Sequence, residues 1–291
     1  MRLSGVYTAL VTPFSDNEID FKALKKLMRI QVRAKISGLV MAGTTGEAPT
    51  LSEEEFVALI EYTMDYVGSG LPVIVGTGSN NIDHTIHRTK IAKKLGAAAA
   101  LVVTPYYNKP QQQAMVEYFA RVTGETGMDV ILYNVPSRTG VNLLPETVGA
   151  LSEVPGIIGV KEASGDMKQL RDTILVTNGA FPVLSGDDST AFPALCMGAR
   201  GVVSVVSNIL PVDMMDLFDA VQKGDTVQAS GIDSRLAPVY DALFMETNPV
   251  PVKAALGLMG ICGKEVRMPL ITASEATLQQ LKPIMRVFEL I

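Results

Sequence analysis

Eight short β-branched runs, each followed by a turn and then by an amphipathic stretch, constrain this chain more than any other feature. Parallel strands cannot be joined by tight turns, so this alternation is the pattern of strands linked by crossover helices. The strand candidates are Val6–Thr12, Gly38–Ala42, Pro72–Gly76, Ala98–Thr104, Asp129–Asn134, Ile157–Ala163, Phe181–Ser185 and Gly201–Ser207. Helix candidates between them include Phe21–Ala34, Ser52–Val67, Ile82–Leu95, Gln111–Thr126 and Pro211–Lys223. Ser52 with Glu55 has the spacing of a capping box, and Pro145 and Pro211 suit a first helical position. Eight such units fit the α/β class as a (β/α)8 TIM barrel, whose strands read as nearly continuous apolar runs because both faces are covered. The competing doubly wound sheet carries a Gly-x-Gly-x-x-Gly turn after its first strand; this chain has Thr12-Pro13-Phe14 there. From Thr226 onward the pattern is helical, and Thr272 with Glu275 reads as a capping box opening a last helix to about Leu290. The expected organisation is a catalytic barrel over residues 1–225 with a C-terminal helical region, 226–291, packed beside it, since no polar linker divides them.

Composition narrows the partners. With 47% hydrophobic and 19% charged residues the chain can bury a large core. A net charge of −5 and the lack of any Lys/Arg cluster argue against nucleic acid and membrane surfaces as partners. Small anionic substrates would need local positive groups. Cys196 and Cys262 stand far apart and make no ligand-type pair, so reduced packing residues are expected. Met1 leads directly into Val6–Val11 without a signal pattern, and no apolar run approaches the ~20 residues of a membrane span. A cytoplasmic, unprocessed protein is the expectation.

Barrel enzymes work at the C-terminal ends of their strands, which directs attention to the residues there. In Gly156-Ile157-Ile158-Gly159-Val160-Lys161-Glu162 a lysine closes an otherwise apolar run. Its stem could pack while its head reaches water. Alternatively it is a nucleophile, which needs burial or a neighbouring cation to shed its proton. The neighbouring unit decides between these. Tyr133 ends the strand before it, and adjacent strands lie about 4.8 Å apart, so phenol and amine can reach one reacting atom. Arg138, in Pro136-Ser137-Arg138-Thr139-Gly140, offers a forked donor pair to a carboxylate. Gly43-Thr44-Thr45-Gly46-Glu47 combines tight-turning glycines with hydroxyls suited to an anion. Tyr106 and Tyr107 place adjacent aromatics in a loop, as a substrate wall or a subunit contact. Asp187-Asp188 invites a metal reading but reads better as a helix start, and His84 with His87 lacks a third ligand and reads as a solvent-facing pair. No metal or cofactor is expected.

These segments, together with Asn248-Pro249-Val250-Pro251-Val252-Lys253, make the whole chain resemble the dihydrodipicolinate synthase family of pyruvate-dependent class I aldolases, a group that includes N-acetylneuraminate lyase. The resemblance implies a Schiff base between Lys161 and pyruvate, and a proton relay of Thr44, Tyr133 and Tyr107, the last supplied by a neighbouring subunit of a homotetramer. It further implies that Thr44 and Thr45, with backbone help near Gly186 and Val203, bind the pyruvate carboxylate. Arg138 would hold the carboxylate of L-aspartate 4-semialdehyde. Sialic-acid-cleaving relatives generally have an apolar residue in place of this Arg and a serine in the Gly-Thr-Thr-Gly turn. A keto-acid sensor that has lost turnover is disfavoured by the intact Lys161, Tyr133, Tyr107 and Thr44 set.

One departure from the family pattern bears on regulation. Many bacterial and plant relatives are inhibited by lysine at a subunit interface, using an acidic residue where this chain has His84 and, in some, histidines where it has Glu53 and Phe56. Asn80 and Tyr106 match. Without a carboxylate at position 84 the effector's ammonium loses a charge-assisted bond of roughly 1.5–3 kcal/mol, so weak or absent lysine inhibition is expected.

Overall fold

The computed structural model describes residues 3–291. Its eight barrel strands are β1 (Gly5–Ala9), β2 (Gly38–Met41), β3 (Val73–Gly76), β4 (Ala99–Val103), β5 (Val130–Asn134), β6 (Ile157–Glu162), β7 (Val183–Ser185) and β8 (Gly201–Ser204), hydrogen-bonded in the order of a closed parallel barrel. All eight candidate strands are present, each shorter than its apolar run. The α/β barrel expectation holds.

Two compact units make up the chain. The first comprises the segment through Gly5 together with Pro72–Val203. It contains β3 to β7, β8 as far as Val203, and the helices α3 (Ile82–Lys94), α4 (Gln112–Thr126), α5 (Pro145–Ser152), α6 (Met167–Val176) and α7 (Ala191–Cys196). Its core joins strand residues Val102, Leu132 and Val160 to Phe119 of α4 and Leu170 of α6. Val103 pairs with Tyr133, Tyr133 with Lys161, and Lys161 with Leu184, so residues at or one short of the ends of four strands come level. A register irregularity between Val130 and Ile131 precedes that alignment. Gly201 is required where it stands, because a Cβ there would lie 2.0 Å from the Gly5 carbonyl oxygen.

The second unit comprises Val6–Leu71 and Ser204–Ile291. It holds the rest of β1, β2, a short antiparallel ribbon (Phe14–Ser15 with Glu18–Ile19), α1 (Phe21–Arg33) and α2 (Glu53–Val67). It also holds α8 (Pro211–Gln222), α9 (Thr226–Leu243), α10 (Val250–Leu258) and α11 (Glu275–Val287). The capping box of Ser52 and Glu55 forms as the spacing predicts, and Pro145 and Pro211 open their helices. Buried polar groups are matched across the sequence: Gln31 accepts from the Thr8 hydroxyl at 2.7 Å and donates to the Ser207 carbonyl at 2.9 Å.

Three sequence expectations are corrected. β1 stops at Ala9 rather than Thr12, since the Val11 N–H donates to the Asn208 side chain (3.2 Å), whose amide in turn donates to the Ala9 carbonyl (2.8 Å). The last helix is capped by Ser274, not Thr272: Ser274 Oγ accepts from the Thr277 N–H, while Glu246 takes hydrogen bonds from the serine's N–H and hydroxyl at 2.9 and 2.8 Å. Neither cysteine is in a disulfide, but Cys196 is exposed rather than packed in the core; Cys262 is half-buried, and burial pushes its thiol up to about 11. Among the described residues no helix is long and apolar enough to cross a membrane.

Candidate active site

In the first unit, β5 and β6 bring Tyr133 and Lys161 together. The two are register partners, 7% and 6% exposed, and the lysine Nζ lies 4.1 Å from the centroid of the tyrosine ring. A lysine 6% exposed and packed against an aromatic face fits a buried amine better than a strand-end lysine with its head in solvent. Strand alternation sends the next residues, Asn134 and Glu162, to the opposite face. There Glu162, 3% exposed, accepts hydrogen bonds from Asn134 Nδ2 (3.0 Å), Gln169 Nε2 (3.1 Å) and the Ser164 N–H (2.7 Å). Asn142 extends the network, accepting from Asn134 at 2.8 Å and donating to Gln169 at 2.7 Å. A buried carboxylate stays only where its lone pairs are met, so this cluster clamps the ends of β5 and β6 to α6. Motif reading missed it; the signal was a polar residue directly after each candidate catalytic one.

Gly186 follows β7, its N–H donating to the Glu162 carbonyl at 2.7 Å. A Cβ there would sit 2.6 Å from Ala163 Cβ and 2.8 Å from Lys161 Cε, so the lysine stem occupies the space a side chain would need. Val203 is buried within β8. Arg138 is exposed on the turn after β5. That turn is tied to Tyr107, whose N–H donates to the Thr139 carbonyl at 3.1 Å. Tyr107 has φ 77° and is 87% exposed. A non-glycine residue in that left-handed region costs on the order of 1–3 kcal/mol, and such strain concentrates at functional loops. Asp187 accepts from the Ser189 N–H at 3.0 Å as a cap, which fits the helix-start reading. His84 and His87 face solvent on α3. No group of three or more His, Cys, Asp or Glu suited to a metal occurs among the described residues.

In the second unit, the turn after β2 carries Thr44, half-buried, and Thr45, 3% exposed. Gly46 packs closely there: a Cβ would meet the Ala42 N at 3.2 Å and the Leu10 carbonyl oxygen at 3.3 Å. Thr45 Oγ1 accepts from Asn248 Nδ2 at 2.9 Å. Glu47 closes the turn in the left-handed region, φ 54°, with its carboxylate buried. It is ion-paired to the fully buried Lys253 and accepts from the Arg267 N–H at 2.9 Å. Burial pushes the Lys253 ammonium below its usual range, and the Glu47 charge opposes that shift. Both cations pack on the Phe14 ring, with Lys253 Nζ and Arg267 Cζ each 4.1 Å from its centroid.

Known proteins resemble the chain over nearly its whole length. The profile of the Dihydrodipicolinate synthetase family matches residues 2–287. A 4-hydroxy-tetrahydrodipicolinate synthase of Thermodesulfovibrio yellowstonii is 47% identical over 282 residues, 97% of each chain. The crystal structure of dihydrodipicolinate synthase from Thermotoga maritima superposes with a TM-score of 0.98 at 41% identity, covering 99% of both chains. That of the Acinetobacter baumannii enzyme complexed with pyruvate superposes with a TM-score of 0.97 at 38% identity, covering all of both.

Proposed function

The chain belongs to the dihydrodipicolinate synthetase family, and on that premise we propose that it condenses pyruvate with L-aspartate 4-semialdehyde to 4-hydroxy-tetrahydrodipicolinate, the product for which the synthases it aligns with are named. The observation that carries the reading is the buried Lys161 against Tyr133 at the ends of neighbouring strands.

In this reading the neutral Lys161 amine adds to the pyruvate C2 carbonyl, and loss of water gives an iminium. That cation draws electrons from the methyl group, so a proton leaves carbon to give an enamine. The enamine carbon attacks the aldehyde of the second substrate. The amino group of that substrate then attacks C2, closing the ring and releasing Lys161. Tyr133 shuttles protons on and off the carbinolamine together with Thr44 and with Tyr107 of a neighbouring subunit. Thr44 and Thr45, with backbone help near Gly186 and Val203, receive the pyruvate carboxylate; Arg138 receives that of the aldehyde. The protein's share is orientation, exclusion of water and a proton path. The exposure of Tyr107 supports its use by a second subunit, and the assembly inferred from the family resemblance is a homotetramer, a dimer of dimers.

Borohydride reduction in the presence of pyruvate, followed by peptide mapping, tests the chemistry: the adduct is expected on Lys161 alone. Turnover of aspartate semialdehyde, compared with cleavage of sialic acid, tests the subgroup. An adduct elsewhere, or sialic-acid cleavage without condensation, overturns the reading. Sedimentation tests the assembly, and a fully active monomer would remove the role given to Tyr107.

A further inference from the structure

Asn248 lies 203 residues from Thr45 in sequence, yet its side-chain amide donates to the Thr45 hydroxyl at 2.9 Å. Both residues are buried, at 6% and 3% exposure. A threonine hydroxyl can accept two hydrogen bonds and donate one. Among the described residues this is the single hydrogen bond of the Thr45 hydroxyl, and the threonine is its acceptor. Its own hydrogen is thereby left for another acceptor. A buried O–H whose oxygen is already claimed by a donor is oriented to give its proton away, and a carboxylate, which only accepts, is the complementary ligand.

The segment bearing Asn248 grips this turn twice. Five residues on, at the start of α10, Lys253 is ion-paired to Glu47, the last residue of the same turn. Lys253 Nζ also donates to the Glu265 carbonyl at 2.8 Å, so the grip is anchored at its far end. The turn backbone is held by Glu47 N–H to the Thr44 carbonyl at 3.1 Å and Ala48 N–H to the Gly43 carbonyl at 3.2 Å. With the backbone fixed this way, rotation of the Thr45 hydroxyl is the remaining freedom, and Asn248 removes it.

We propose that Asn248 is a positioning residue for pyruvate: by donating to Thr45 Oγ1 it turns the threonine O–H toward the substrate carboxylate. The inference rests on the reading of Thr45 as a carboxylate ligand given above. Asn248 touches no reacting atom; it acts through Thr45.

Steady-state kinetics with pyruvate varied at saturating aldehyde test it, using Thr45→Val, Asn248→Ala and the double variant. Each single variant is expected to raise the pyruvate KM on the order of ten-fold, as loss of a hydrogen bond to a charged group does, with kcat changed much less. The double variant is expected to be no worse than the poorer single one, because both remove one interaction. If Thr45→Val raises the pyruvate KM while Asn248→Ala leaves it at the wild-type value, or if the two effects add in full, this inference falls and the Thr45 reading stands. If Thr45→Val leaves the pyruvate KM unchanged, the Thr45 reading falls and takes the inference with it. Should Asn248→Ala not fold, the near-isosteric Asn248→Asp carries the same test, since a carboxylate cannot donate to Thr45. A raised pyruvate KM supports the proposal, and a wild-type KM overturns it.

Discussion

Lys161 and Tyr133 are register partners on β6 and β5, and the lysine amine rests on the face of the tyrosine ring at 4.1 Å. The phenol is therefore carried on a strand beside the amine, and in the proposed mechanism its loss slows proton transfer to and from the carbinolamine without removing the amine that forms the imine. Tyr133→Phe is expected to keep the borohydride-trapped adduct on Lys161 while lowering kcat by about 10²–10⁴-fold, the range for loss of a positioned general acid–base. Lys161→Ala is expected to abolish both. Mass spectrometry of the trapped protein beside a condensation assay distinguishes the two outcomes; a Tyr133→Phe protein with undiminished kcat removes the phenol from the proton path.

Arg138, on the turn that Tyr107 braces through Thr139, is the proposed anchor for the second substrate. Arg138→Ala is expected to raise the KM for aspartate semialdehyde by about 10–100-fold, the equivalent of a charge-assisted bond, and to leave the pyruvate KM near wild type. A rise in the pyruvate KM alone would place the guanidinium on the wrong carboxylate.

Glu162 receives three donors on the face opposite Lys161. Glu162→Gln turns one of its two accepting oxygens into an NH2 that faces donors. A loss of about 1–3 kcal/mol in unfolding free energy is expected from the polar groups left unmatched, together with a fall in kcat as the strand ends loosen. Urea denaturation measures the first and steady-state kinetics the second. Unchanged stability would mean that the network is not a clamp.

Acid should weaken the second unit through Glu55. Hydrogen bonds from Arg267 hold this carboxyl below its ordinary 4.5, against a smaller opposing effect of burial. Because its folded value is the lower one, the unfolded chain takes up the proton first. The stability it contributes is complete above about 4.5 and is lost as pH falls through the folded value. Glu246, lowered first by the Thr277 hydroxyl, acts in the same direction. Melting temperatures followed from about pH 6 to about pH 3 should decline more steeply for the wild type than for Glu55→Gln. Parallel profiles would rule out the carboxyl as a source of the decline.

Lysine is expected to inhibit feebly. His84 is exposed on α3, and Asn80 Nδ2 donates to the Tyr106 carbonyl at 3.3 Å, so two of the matched effector positions are joined while the acidic one is replaced. A steady-state titration giving half-inhibition at sub-millimolar lysine would contradict this and would point to Glu53 as the substitute anchor.

The strand order and the lysine were legible because they rest on local patterns: apolar runs bounded by Gly or Pro, and one cation closing such a run. Strand ends were not, because partners far along the chain decide where a ladder stops. Asn208 ends β1 by taking both the Val11 N–H and the Ala9 carbonyl, and the Ser204 hydroxyl, accepting from the Ser207 N–H at 2.9 Å, turns the chain out of β8 three residues before the apolar run ends. The cap at Ser274 was missed for a similar reason, as Glu246 selects among neighbouring hydroxyl residues. The link from Asn248 to Thr45 has no local signature. The Asn134–Glu162 clamp becomes readable only once the register of β5 and β6 is known, since alternation then puts both on the face away from Tyr133 and Lys161.

Gly186 leaves the room that the Lys161 stem fills. With Lys161 Cε already 2.8 Å from where a methyl would begin, even alanine would press on the lysine stem, the tether on which the proposed imine forms. A saturation library of this loop would score position 186 as nearly intolerant, although glycine has no side chain to take part in the chemistry. Attempts to widen the keto-acid range should leave this codon untouched and seek volume on the other strands.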